Sequence, residues 1–274
     1  MTLGTQWETD WHLARACLEW QVDMGVDEAI CDAPLNRYDL ETAAPEPVAP
    51  ARGKPAAQPA PTPAAVAAAG AADPVQVAQD MATAAPDLVA LEQAVAAFPH
   101  CDLRQGARNC VFAAGRADAK VMIVGEAPGR EEDRQGQPFV GEAGQLLDRM
   151  LAAIDMRRDH PDPARAVYIT NILPWRPPQN RDPSAEERAM FRPFVLRHIE
   201  LAAPDIVVLM GRISAATLLE TSVGITRLRG QWHMMANRPV LPMLHPAYLL
   251  RNPPSKREAW ADLLALQAKL RTLP

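Results

Sequence analysis

Apolar residues gather in four short runs, Lys120–Val124, Val167–Ile172, Ile206–Met210 and Val240–Leu244, each too short for a buried helix and the right length for a buried strand. Between and beside them the pattern changes to the three-to-four spacing of one-sided helices, over Gln145–Ile154, Ala185–Leu201, Ile213–Leu219 and Arg257–Leu270. Strands that alternate with helices predict an α/β fold: a three-layer α/β/α sandwich around a central four-stranded parallel sheet. Ligands of such sheets gather at the carboxyl ends of the strands. The chain meets that demand. Its first run leads into Gly125-Glu126-Ala127-Pro128-Gly129, its second holds Asn171, its third leads into Gly211, and its fourth into His245-Pro246-Ala247-Tyr248.

Upstream the pattern differs. Leu13–Ile30 reads as an amphipathic helix, with Leu13, Cys17, Trp20 and Met24 on one side. A stretch rich in alanine and proline follows, with too few large apolar side chains to offset the entropy of ordering. The expected organisation is a helical segment over 1–42, a disordered linker over 43–87 and a folded domain over 88–274. The helix either docks on that domain or engages a protein partner.

Charge follows the same division. The formal net charge is -5, yet residues 1–87 hold 4 basic and 13 acidic side chains and residues 88–274 hold 24 and 20. A mildly basic folded part suits a polyanionic partner. No apolar run is long enough to span a membrane, and the N-terminus lacks the pattern of a secretory signal, so a cytoplasmic protein is expected. The four cysteines, Cys17, Cys31, Cys101 and Cys110, include no Cys-x-x-Cys pair, and no metal site is expected from them.

Candidate chemistry concentrates in Val124–Gly144. Gly125, Pro128 and Gly129 suit a tight turn with exposed N–H groups, but neither dinucleotide nor P-loop glycine spacing is present. Four carboxylates, Glu126, Glu131, Glu132 and Asp133, stand within eight residues. Glu131 and Asp133 read equally well as a solvated loop, whereas Glu132 and Glu126 are the candidates to orient a water or stabilise a cationic sugar. Phe139 packs in the core or stacks on a base. Asn171 braces a loop or reads a base edge through its amide. His245 caps a loop or donates to an oxygen that gains negative charge.

Together these segments resemble the uracil-DNA glycosylase superfamily, most closely family 4, over about Leu91 to Leu270. The resemblance rests on Gly125–Gly129 with Glu132, Pro138-Phe139-Val140-Gly141, Tyr168–Asn171, Arg176–Arg181, Leu228-Arg229-Gly230 and His245–Leu250 in order. It implies a monofunctional hydrolase that flips uracil out of DNA and leaves an abasic site. Phe139 would stack on uracil, Asn171 would read its edge, and Ala127 and Gly129 would line the pocket. His245 would stabilise O2, Glu132, with Glu126 as second choice, would position water or stabilise the cationic sugar, and Leu249, Leu250 and Arg251 would enter the duplex. The expected partner is uracil-containing DNA, met as a monomer.

One departure is instructive. Where the family carries four cysteines for an iron-sulfur cluster, this chain has Phe98, Cys101, Trp175 and Phe191. No cofactor is expected. Two other readings fit: a weakly catalytic recruitment factor that acts through its N-terminal helix, and a hydrolase of small nucleosides, which would leave the Leu249–Arg251 segment without a role.

Overall fold

A computed structural model describes residues 73–273; the expected helix Leu13–Ile30 and residues 43–72 of the expected linker lie outside that range. Six strands form one sheet: β1 (Ala113–Gly115), β2 (Val121–Gly125), β3 (Val167–Asn171), β4 (Ile206–Met210), β5 (His233–Met235) and β6 (Arg238–Met243), in the order β1-β3-β2-β4-β6-β5. β3, β2, β4 and β6 pair in parallel, while β1 runs antiparallel to β3 and β5 antiparallel to β6.

The sheet is therefore mixed and six-stranded, which corrects the expected purely parallel sheet of four. The reason is physical. A three-residue strand carries no readable period, and Ala113–Gly115 becomes a strand only by pairing with Tyr168–Thr170. β5 arises as one arm of a hairpin whose turn residues, Ala236 and Asn237, both have positive φ (47° and 64°).

Strand periodicity divides the core. Met122, Val124, Val207 and Leu209 face one side, together with the helices Pro74–Ala84 (α1), Leu88–Ala97 (α2) and Ala185–Ala202 (α3). Val121, Ile123, Ile169, Val208 and Leu241 face the other, against Glu142–Ala152 (α4) and Lys256–Leu270 (α5). Because both faces are covered, β2 and β4 are apolar throughout.

α1 falls in the stretch expected to be linker. Asp73 caps it by accepting from the Val75 N–H at 3.0 Å, Pro74 opens its first turn, and Ala78 and Ala82 are buried. α3 starts with a capping box, Ser184 and Glu187 bonding each other's backbone N–H at 3.1 and 2.7 Å.

Phe98, Cys101, Trp175 and Phe191 all lie buried in the core beside α3. Phe98 meets Phe191 edge to face at 5.5 Å and Phe194 at 5.4 Å. One thiol, two phenyl rings and an indole do not fit an iron-sulfur cluster, which takes thiolate ligands. Among the described residues no group of three or more His, Cys, Asp or Glu side chains is arranged to hold a metal ion. Burial pushes the Cys101 thiol up from its ordinary value, away from the reactive thiolate form. No helix among the described residues is long and apolar enough to cross a membrane.

Candidate active site

A cavity of about 390 Å³ opens at the carboxyl ends of the parallel strands. Glu126, Ala127, Gly129 and Glu132 line it after β2, Asn171 from the end of β3, and His245 after β6, with Phe139 entering from the loop before α4. The close approach of these groups depends on small residues. A Cβ on Gly125 would stand 2.3 Å from Asn171 Oδ1 and 2.5 Å from the Phe139 ring, so that position must stay bare for both side chains to converge.

Phe139 is held in an unusual shape. Its φ is +56°, a region disfavoured for a residue with a Cβ, so the surroundings must impose it. Arg158 supplies the constraint, donating to the carbonyl oxygen of Pro138 at 2.7 Å and to that of Phe139, while Asp148 fixes the guanidinium at 2.8 Å. A Cβ on Gly144 would collide with the Phe139 carbonyl oxygen at 1.8 Å, so α4 can pass beneath only with glycine there. The ring ends 5.4 Å from that of His245, tilted by 31°.

His245 has a defined tautomer. Its Nδ1 accepts from the Ala247 N–H at 3.2 Å, so in the neutral ring the proton resides on Nε2. Burial, and after it the Arg251 charge, lowers the imidazole to about 4, against a smaller opposing pull from Glu132. At neutral pH it is an uncharged donor.

The two candidate carboxylates differ in what they touch. Glu132 accepts three backbone bonds, from Gly129 at 3.1 Å, Val140 at 2.9 Å and Gly141 at 2.8 Å. It ties the turn after β2 to the loop of Phe139. Glu126 has no such brace. Burial and the neighbouring Asp182 raise it to about 7, with Arg212 and Arg188 pulling the other way. Of the acids expected to be solvated, Asp133 is buried and accepts from the Arg108 and Asn109 N–H groups at 2.8 and 3.2 Å, while Glu131 pairs with Arg134.

The segment after His245 is a short helix, Pro246–Arg251. Leu249 is fully buried beside Leu146, Leu244 and Ala259, whereas Leu250 is 37% exposed and Arg251 lines the cavity. Sequence reasoning gave no role to Asn180, Arg181 and Asp182, which form the opposite wall. Asn180 and Arg181 belong to the Arg176–Arg181 motif and Asp182 follows it, but only the fold turns that loop over the cavity.

Residues 112–264 match the family model described as the uracil DNA glycosylase superfamily. The type-4 uracil-DNA glycosylase of Thermotoga maritima is 40% identical over 156 residues, 56% of this chain and 77% of the relative. That of Archaeoglobus fulgidus is 39% identical over 173 residues, covering 59% of this chain and 82% of the relative. A type-5 uracil-DNA glycosylase of Pyrobaculum aerophilum is 31% identical over 115 residues, 39% of this chain and 50% of the relative. With the matched segment spanning the sheet and its cavity, and with no cysteine cluster suited to an iron-sulfur centre among the described residues, the chain belongs to the uracil-DNA glycosylase superfamily, as a homologue of the type-4 enzymes.

Proposed function

We propose that the chain is a monofunctional uracil-DNA glycosylase, working in the cytoplasm as a monomer, that turns uracil out of DNA and hydrolyses the bond between uracil N1 and deoxyribose C1′. The observation that carries this reading is the convergence of Phe139, Asn171, His245 and Glu126 on one cavity. A flat ring between the Phe139 face and the Asn171 amide meets both an apolar surface and a donor-acceptor pair, which is what recognition of a flipped base requires. Ala127 and Gly129 add backbone at close range.

The chemistry follows from the charges. When the C1′–N1 bond breaks, its electron pair leaves with the base and negative charge collects on O2. Neutral His245, with its proton on Nε2, donates to that oxygen. The sugar turns cationic, and the Glu126 carboxylate stabilises it and takes a proton from the water that adds to C1′. Oxygen ends on C1′, one proton on Glu126, and the uracil anion recovers a proton from solvent. Glu132 holds the two loops in register, since its oxygens are taken by amides.

No lysine lines the cavity among the described residues, which supports hydrolysis over a Schiff base. Leu250 and Arg251, exposed on the helix Pro246–Arg251, fill the space the base vacates, with buried Leu249 beneath them.

Single-turnover release of uracil from a labelled oligonucleotide, in buffer with a chelator, tests this. Release by the wild type and its loss in Asn171→Ala and His245→Ala are expected. Intact DNA binding without any release would refute the enzymatic reading and favour a recruitment factor on this fold.

A further inference from the structure

Leu228-Arg229-Gly230 lines no part of the cavity, yet it ties together the two ends of the stretch that carries His245 and the helix Pro246–Arg251. At one end the Gly230 N–H donates to the Pro242 carbonyl of β6 at 3.1 Å. At the other, the Arg229 guanidinium donates to the Glu258 carbonyl at 2.7 Å and to both carboxylate oxygens of Asp262, to Oδ2 at 2.9 Å. Glu258 and Asp262 belong to the first two turns of α5. Asp262 is buried, and removing one partner of a buried charge pair strands the other, so the tie needs both.

Between the tied ends lies the seat of the helix. Leu249, buried beneath exposed Leu250, packs in one cluster with Leu244, just past the end of β6, and Ala259 on α5, with Ile225 and Tyr248 against it. Ala259 stands between Glu258 and Asp262, so the spacing that Arg229 and Gly230 fix is also the width of the Leu249 seat. Ile225 starts the turn that ends in Arg229, whose N–H donates to the Ile225 carbonyl at 2.8 Å. The His245 end is secured separately, by the pairing of β6 with β4 as far as Met243 and by the Gly211 N–H, which donates to the Met243 carbonyl at 2.9 Å. We propose that Arg229 is a positioning residue that sets the height of the helix Pro246–Arg251, and through it how far Leu250 and Arg251 enter the duplex. The inference rests on the reading above, in which those two residues fill the space the base vacates. Loss of the tie loosens the helix while β4 still holds the approach to the imidazole.

Two ratios measured on the full chain test the proposal. The first is the affinity, by fluorescence anisotropy, for a duplex with a tetrahydrofuran abasic analogue over that for the same duplex undamaged, which needs no catalysis. The second is the single-turnover rate of uracil release from duplex over that from single strand, where no gap in a stacked duplex has to be filled. In Arg229→Met both ratios should fall about fivefold or more, the scale on which small displacements of binding groups act. Arg229→Lys keeps the charge beside Asp262 but not the planar fork, so it should lower both ratios less, and it serves if Arg229→Met fails to fold. Wild-type ratios in the variants overturn the proposal, including when release falls by one factor on both substrates, as destabilisation alone would produce. A wild type with no preference for the abasic duplex overturns it too, since nothing then enters the gap. If the abasic preference falls in the variants while the wild type releases no uracil, the positioning role of Arg229 stands and the glycosylase reading falls.

Discussion

The Arg158 guanidinium donates to the carbonyl oxygen of Phe139, a residue whose φ of +56° a side chain rarely adopts. Arg158 is not among the residues that line the cavity, and it reaches two consecutive carbonyls at once. Replacement by alanine should let Phe139 relax toward ordinary backbone and lower kcat/KM for uracil release about tenfold or more, chiefly through KM. Lysine keeps the charge but not the planar fork, so it should restore little. An Arg158→Ala variant with wild-type KM would sink this account.

Glu132→Gln tests the brace. Its three bonds come from backbone N–H groups, and an amide can accept with only one of its two polar atoms. At least one N–H is left unsatisfied, at a cost of about 1 to 3 kcal/mol. Urea unfolding should register that loss, and the rate of uracil release should fall by the same factor at every pH. A displaced acid limb would instead mark Glu132 as the group that titrates in the reaction.

Glu126 should show the opposite sign. Folding raises its carboxyl from 4.5 to about 7, so the native state binds this proton more tightly than the unfolded chain does. Stability is then greatest below the ordinary carboxylate range and declines as pH rises to about 7, where the full cost is reached. Glu126→Gln should unfold like the wild type near pH 4 and prove more stable near pH 8 by about 1 to 3 kcal/mol. Equal stability of the two proteins at pH 8 would mean that Glu126 ionises there without penalty.

Phe191→Ala addresses the aromatic cluster. The ring is 1% exposed and packs against Phe98 and Phe194. Its removal should cost about 3 to 5 kcal/mol. Dialysis of the wild type against a chelator should leave the unfolding midpoint unchanged and release no iron; stoichiometric iron in the purified protein would contradict the fit argued from these side chains.

Much of this molecule could be read from its sequence, for identifiable reasons. The strands β2, β3, β4 and β6 announced themselves because each carries a short apolar run, Asn171 and His245 because they stand where such runs end, and Phe139 because it lies on a glycine-flanked loop. The edge strands escaped because pairing, not pattern, makes them. Helix α1 was hidden by its composition, although Asp73-Pro74 is a capped start. The bond that Glu132 accepts from the Gly129 N–H also had a sign in the chain. Gly129 precedes the helix Arg130–Gln135 and Glu132 is its third residue, the position from which an acid reaches back to the cap. What the sequence could not supply was the gathering of Glu126 and Asp182 on one cavity, since they lie 56 positions apart in the chain.

The replacement of thiolate positions by Phe98, Trp175 and Phe191 changes what the protein needs from its surroundings. Rings that pack by exclusion of water are in place as soon as the chain folds, with no assembly machinery to deliver iron and sulfide. At these four positions a loss of iron has nothing to remove, and the packing around α3 should form equally well whether or not iron is supplied.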